Sequence, residues 1–301
     1  MTVTDKKKGT VMKAFGTSSR LGHDSSVYYS RKMNSIVNPV SIENAAENKL
    51  PENVIDRIFC KSSEHMDDIP DSSIHLMVTS PPYNVGKEYD KDLSLKEYRE
   101  LLANVFKEVY RVLVVGGRAC INVANLGRKP YLPLHSFIIE DMQKLGFFMR
   151  GEIIWDKGSS AGTSMAWGSW LSASNPSLRD THEYILIFSK GDNGREKTEN
   201  KENTITKEEF MEYTKSVWTF PAQRASAVNH PAPFPIELPE RLIKLYTFSG
   251  DVVLDPFMGS GTTAIAAIKN GRHYIGYDID ENYCKNAEKR IKKFTEQSKL
   301  I

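Results

Sequence analysis

Cysteine is scarce in this chain. Cys60, Cys120 and Cys284 are the only three among 301 residues, and they stand far apart. An odd count argues against a disulfide framework, and none of the spacings is that of a metal-ligand pair, so no metal is expected. Long hydrophobic runs are missing too: nothing approaches the roughly 18 apolar residues of a membrane span. The opening stretch, MTVTDKKKGTVMK, lacks the apolar centre of a secretory signal. A reducing cytoplasm is the expected setting. Neither sign of charge dominates, since the formal net charge is +2. That leaves a nucleic-acid partner open, because such binding uses a local basic face rather than the total. Internal repeats are absent.

What is present suits one large α/β domain with an insertion, or two modest domains. Residues 1–50 are polar and rich in Ser, Asn and Lys. From residue 54 the pattern becomes regular. VIDRIFC and IHLMV read as short buried strands. Ser94 and Glu97 form a capping box before a helix that runs to about residue 112. Gly116-Gly117 is expected to turn the chain into the strand RACINVAN. LPLHSFIIEDMQKLG reads as a helix closed by Gly146. GEIIWDK and HEYILIFSK are strand-like, and the loop between them is long, which usually marks function. Thr206 and Glu209 form a second capping box. Strands alternating with helices imply a mostly parallel sheet with helices on both faces.

The last third carries the clearest chemistry. DVVLDPFMGSGTTAIAAIKNGRHYIGYDID reads as strand, Gly-rich turn, helix, strand and acid. Asp278 follows at about the 20-residue spacing of an acid that holds ribose hydroxyls. The glycines are G-S-G rather than G-x-G-x-x-G, and Asp255 stands directly before them. A pyrophosphate is repelled by that carboxylate, whereas a cofactor with cationic groups is attracted. S-adenosylmethionine (AdoMet) has an ammonium, a sulfonium and a ribose. Upstream, NHPAPFPIELPERLIKLYT is stiff with proline before it turns helical, and suits a cofactor lid.

A second stretch, Ser80-Pro81-Pro82-Tyr83, follows a predicted strand. At the carboxyl end of a parallel strand it faces the ligand crevice. It offers a hydroxyl, carbonyls and an aromatic face, and its prolines have no N–H. Those are the parts needed to hold a planar base and accept hydrogen bonds from its exocyclic amine. A stiff turn is the plain alternative when the stretch is taken singly.

TSPPYN, HPAPFP and DPFMGSGTT, in that order, resemble the β-group of amino-DNA methyltransferases over about residues 54–292. The resemblance implies a circularly permuted AdoMet-dependent α/β fold with one antiparallel hairpin. Residues 1–50 become an N-terminal extension, 51–157 a catalytic half, 158–220 a target-recognition insertion and 221–301 the AdoMet half. Strand 182–190 is expected to belong to the core sheet. Ser80, Pro81, Pro82 and Tyr83 become the base-amine site. Asp255, Phe257, Gly259, Ser260, Gly261 and Thr262 become the cofactor loop. Asp278 holds the ribose, and His230, Pro231, Phe234 and Pro235 lie on the methionine side. S-P-P-Y in this family points to cytosine N4, whereas D-P-P-Y and N-P-P-Y mostly mark adenine N6.

Duplex DNA is then the partner, and a restriction endonuclease is the functional counterpart; the protein is a monomer or homodimer. One departure stands out: FCKSSEHM replaces the family's frequent Gly-Asp near the cofactor, which leaves the adenine contacts on that side open. GHDSSVYYSR resembles N-terminal segments of some cytosine-N4 members, with Arg20, His23 and Asp24 as candidates near the base pocket. Arg179 is a candidate for guanine, and Trp167 or Trp170 for packing or wedging. Lys157, Lys190 and Arg224 join Arg179 as candidate phosphate contacts. An adenine-N6 enzyme, an RNA or protein-glutamine methyltransferase and a non-catalytic DNA-binding module remain the alternatives.

Overall fold

A computed structural model describes residues 31–32, 46–83, 93–127, 130–158, 168–191, 194–195, 201–223 and 234–298. The chain divides into two compact units, residues 1–40 and 41–301. Of the first unit only Arg31 and Lys32 are described, and the architecture that follows is that of the second. Its elements are β1 (Arg57–Cys60), β2 (Ile74–Thr79), α1 (Leu95–Val112), β3 (Leu113–Val123), α2 (Leu134–Lys144), β4 (Phe147–Asp156) and β5 (His182–Lys190). Then come α3 (Lys207–Tyr213), β6 (Val217–Thr219), α4 (Glu237–Tyr246), β7 (Val252–Asp255), α5 (Thr262–Lys269), β8 (His273–Asp278) and α6 (Glu281–Ser298).

The strands form one sheet in the order β1-β8-β7-β2-β3-β5-β4-β6. Every neighbouring pair is parallel except those made by β5, which runs against both β3 and β4. Side chains alternate between faces along each strand, and each face has its own apolar layer. Met77, Ala119, Ile121 and Leu254 pack against α1 and α2. Leu76, Val78, Cys120 and Val253 pack against α4, α5 and α6. The result is helix, sheet and helix in three layers.

Local signals explain the elements. Both halves of the expected box at α1 are made: Glu97 N donates to Ser94 Oγ, and Ser94 N donates to the Glu97 carboxylate. Tyr98, Leu102, Val105 and Val109 then bury one stripe of the helix. Thr206 and Glu209 cap α3 in the same way. Gly116-Gly117 departs from expectation. The helix passes straight into β3 at Leu113, and the glycines lie inside the strand. Gly116 has φ +79, and the pairing register with β2 shifts at this point. A Cβ on Gly117 would come within 2.9 Å of the Val114 carbonyl oxygen. The pair makes a bulge, not a turn.

Two further features were not expected. β6 adds an edge strand next to β4, anchored where Trp155 Nε1 donates to the Phe220 carbonyl at 2.9 Å. Lys190, a candidate phosphate contact, is buried instead. Its Nζ donates to the Leu113 carbonyl at 2.7 Å and the Arg111 carbonyl at 3.2 Å. It closes the end of α1 at the sheet edge opposite the strand ends described next, a favourable place for a cation.

Candidate active site

Because β2, β3, β4, β7 and β8 run the same way, their carboxyl ends share one edge. Ser80 follows β2, and Asp255 and Asp278 end β7 and β8. β2 and β7 are direct neighbours although their pairing residues are far apart in sequence. A cavity of about 250 Å³ opens at this edge. Ser80 to Tyr83 line one side of it, and Phe257, Gly259, Ser260, Thr262 and Asp278 line the other. Phe234 and α1 residues Tyr98, Leu101 and Val105 complete the apolar part. The structure therefore brings the two predicted motifs to one cavity.

The two sides are tied together through Asp255. Its carboxylate is 1% exposed. Oδ1 accepts from Thr79 Oγ1 at 2.6 Å and from Phe257 N at 3.1 Å, and Oδ2 accepts from Thr263 Oγ1 at 2.7 Å. Both oxygens are thus engaged by protein donors, and Asp255 does not line the cavity; nor do Gly261 and Pro235. Thr79 directly precedes Ser80, so this carboxylate ties the S-P-P-Y corner to the Gly-rich turn after β7. Burial pushes its pKa up to about 6, against those three hydrogen bonds, which favour the ionised form.

The sign of that shift makes a prediction. A carboxyl whose pKa is higher in the folded state contributes stability that is complete below its unfolded pKa, near 4. The contribution is lost as pH rises through about 6. Asp255→Asn does not titrate. The stability of the native protein relative to this variant is expected to fall by on the order of 3 kcal/mol between pH 4 and pH 7. Urea unfolding of both proteins across that range measures it, and a constant difference would refute it.

Asp278, expected to hold the ribose, lines the cavity. Oδ2 accepts from Gly259 N at 2.8 Å and Oδ1 from Asp280 N at 2.9 Å. Each oxygen keeps lone-pair capacity on the cavity side. Burial raises its pKa. Gly261 caps α5 with φ +79, and an added Cβ would stand 3.1 Å from the Ala287 Cβ on α6. Gly261→Ala is therefore both strained and crowded. We expect it to lower the melting temperature and weaken AdoMet binding several-fold; calorimetry and thermal melting check this, and an unchanged melting temperature would contradict it.

At the S-P-P-Y corner, Ser80 Oγ lies 3.4 Å from Tyr83 OH, and Tyr83 OH accepts from Ala124 N at 3.1 Å. Burial, and next the negative charge of Glu183, hold the Tyr83 phenol far above its usual pKa. It stays neutral, with its ring fixed by a bond to the residue that follows β3.

The remaining sequence candidates fall elsewhere. Lys157 Nζ pairs with Glu183 at 2.5 Å and lies over the Trp155 ring. Trp170 and Arg179 are exposed on the segment joining β4 to β5, which leaves the sheet at the active-site edge. Arg20, His23, Asp24, Trp167, Arg224, His230 and Pro231 lie outside the described residues. Sequence reasoning did not single out Arg290, whose guanidinium donates to the Ser260 carbonyl and ties α6 to the cofactor loop. It also missed Asn122, a polar residue 3% exposed within an apolar strand; that contrast was the available signal. Lys61 stands where the family often has an acid. It lines the cavity and pairs with Asp68 at 2.5 Å. Among the described residues no group of His, Cys, Asp and Glu forms a metal site, and no helix is long and apolar enough to cross a membrane.

A family model described as DNA methylase matches residues 74–289. This chain belongs to that family. The Type II methyltransferase M.MjaI of Methanocaldococcus jannaschii is 36% identical over 278 residues, covering 78% of this chain and 90% of that protein. Among solved structures, TTHA0409 of Thermus thermophilus, named as a candidate DNA modification methylase and complexed with S-adenosyl-L-methionine, superposes with a TM-score of 0.65. It is 32% identical and covers 79% of this chain and 93% of that one. The DNA adenine methyltransferase YhdJ of Escherichia coli is 30% identical, covering 74% of this chain and 78% of its own length. The fold is thus that of AdoMet-dependent DNA methyltransferases, AdoMet is the cofactor and DNA is the substrate.

The cavity fits that cofactor. Asp278 meets the need for an acceptor of ribose hydroxyls, and Phe257, Ile279 and Tyr283 supply apolar surface beside it. Ser260 and Thr262, at the start of α5, place hydroxyls and a helix N-terminus where a carboxylate is favoured.

Proposed function

We propose that this methyltransferase acts on the exocyclic N4 amine of a cytosine turned out of duplex DNA. The observation that carries the reading is Ser80, rather than an acid, at the head of the S-P-P-Y corner, tied through Thr79 and Asp255 to the cofactor loop. A base inside the stack cannot reach this cavity, so the target nucleotide must leave the duplex. Bound AdoMet supplies an electrophilic methyl group on a sulfonium. An aromatic amine is a poor nucleophile because its lone pair is delocalised into the ring. The Ser80 hydroxyl and the carbonyls of the proline corner accept from the amine, localise that pair and disperse the positive charge that develops on nitrogen. Pro81 and Pro82 have no N–H to compete for those acceptors. The Tyr83 ring holds the base face, and positioning supplies much of the remaining acceleration.

Ser80, Pro81, Pro82 and Tyr83 are assigned to the amine site. Phe257, Gly259, Ser260, Thr262, Asp278 and Phe234 line the cofactor cavity, with Asp255 and Gly261 shaping it. Sequence reading comes from the segment between β4 and β5. The Type II names of relatives such as M.MjaI support a protective role beside a restriction endonuclease. The name of YhdJ supports adenine N6 as a second reading.

Nucleoside mass spectrometry decides between them. The protein is incubated with AdoMet and mixed-sequence duplex DNA, and the DNA is digested. N4-methylcytosine is expected. N6-methyladenine would overturn the base assignment and keep the chemistry.

A further inference from the structure

Away from the active-site edge, a second cavity of about 160 Å³ lies between the bulge at the start of β3 and the carboxyl end of α4. Arg118, Arg195, Asn203, Tyr246, Thr247 and Phe248 line it, and among the described residues no carboxylate does. The charges around it are unevenly matched. Glu47 is held by Lys201 Nζ at 2.9 Å and also faces Arg195 and His75. Both Asp251 oxygens accept from the Arg195 guanidinium, and Oδ2 accepts from Phe248 N at 2.8 Å as well. The carboxyl end of α4 is served by another cation. Arg272 Nη2 donates to the Thr247 carbonyl at 2.7 Å, and Nε donates to the Thr247 hydroxyl at 2.9 Å. Both carboxylates and the helix end thus already have their cations.

Arg118 is the cation left over. Among the described residues its guanidinium donates only to the Gly116 carbonyl, and it lies over the Tyr246 ring, 5.8 Å from the centroid. The bulge at Gly116, φ +79, re-aims the strand here and supplies that one carbonyl. A guanidinium has five N–H donors, so most of them are left for the cavity that Arg118 lines. Burial, and the neighbouring charges of Arg150 and Arg195, act against its positive charge and lower its pKa. A partly buried cation without a counter-ion is costly, and an anion that pairs with it removes the cost.

We propose that this cavity is an anion site in which the Arg118 fork holds the oxygens of a phosphate group, either free phosphate or the phosphate end of a small phosphomonoester. The planar fork of N–H donors matches two oxygens of such a group, and Asn203 brings an amide donor to the same cavity. At about 160 Å³ the cavity is smaller than the roughly 300–1,000 Å³ of pockets for whole small molecules, so the anion is small or enters by its phosphate end. The DNA backbone is not the occupant, because the duplex lies at the opposite edge to deliver a base to the catalytic cavity. One bound anion ties β3, α4 and the segment that holds Asn203 together. It stabilises the fold without entering the methyl-transfer cavity.

The test is thermal melting of the full-length protein with AdoMet bound. Sodium phosphate and ribose 5-phosphate are each compared with sodium chloride at matched ionic strength, which cancels general screening. Phosphate at about 10 mM is expected to raise the melting temperature by about 2–4 °C over chloride. Arg118→Met should abolish that rise while methylation activity stays within about twofold of native. Arg118→Lys keeps the charge but loses the fork, and should retain only part of the rise. A larger rise with ribose 5-phosphate than with phosphate identifies a phosphomonoester as the occupant; an equal or smaller one identifies the free anion. No rise over chloride with either compound, or the same rise in Arg118→Met, would overturn the proposal. So would a rise that only duplex DNA produces. If Arg118→Met does not fold, Arg118→Gln carries the same comparison.

Discussion

Tyr83→Ala is expected to lower kcat a hundredfold or more while AdoMet affinity changes by only a few-fold. The ring is the one aromatic face of the S-P-P-Y corner, and stacking of a base on such a face is worth about 1–3 kcal/mol. The larger loss comes from geometry. A base that is no longer clamped samples orientations in which its amine is out of line with the methyl group, and misplacement by about 1 Å costs about a hundredfold. Tyr83→Phe separates the two roles of the side chain. It keeps the face and removes the bond from Ala124 N, a net cost of about 1 kcal/mol in stability. Its kcat should stay within about tenfold of native. Single-turnover methylation with labelled AdoMet measures both variants. Equal defects in the two would mean that the hydroxyl, rather than the ring, does the work.

Asp278→Ala should act on binding instead of chemistry. The carboxylate accepts from Gly259 N and Asp280 N and has lone pairs left for ribose hydroxyls. Hydrogen bonds to a charged acceptor contribute about 1.5–3 kcal/mol each. Removing the group also leaves the Gly259 and Asp280 N–H donors without their acceptor, so the cofactor loop loosens. The dissociation constant for AdoMet is expected to rise about 30- to 300-fold, at roughly 1.4 kcal/mol per factor of ten. The kcat at saturating AdoMet should stay within a few-fold. Asp278→Asn keeps one acceptor oxygen and should fall between the two. Calorimetry gives the affinities, and an unchanged affinity in Asp278→Ala would remove this residue from the cofactor site.

Both residues were legible in the amino-acid sequence, because each belongs to a contiguous pattern whose chemistry is local. TSPPYN pairs a rigid corner with a hydroxyl and a ring. The run from Asp255 to Asp278 holds a complete strand, turn, helix and strand. The capping boxes at Ser94 and Thr206 were legible for the same reason: cap and partner are three residues apart. Gly116-Gly117 was misread because a glycine pair signals a turn or a bulge equally well. Only the neighbouring strand, with the His75 carbonyl 3.1 Å from a Cβ placed on Gly117, decides between them. Lys190 was misread because its acceptors, the carbonyls of Arg111 and Leu113, are 79 and 77 residues away.

By itself, then, the sequence determined the order of strands and helices apart from the edge strand β6, the permuted family, the cofactor and the two motifs that meet in the cavity. Periodicity, caps and short motifs are set by near neighbours along the chain. Tertiary structure alone decided how the motifs are coupled. Thr79 and Asp255 are 176 residues apart and share a hydrogen bond. Asn122 and Glu183, 61 residues apart, meet because β5 runs antiparallel to β3. Hydrogen bonding in a buried site depends on which strands are neighbours and on their register. Both follow from how the whole sheet packs its two apolar faces.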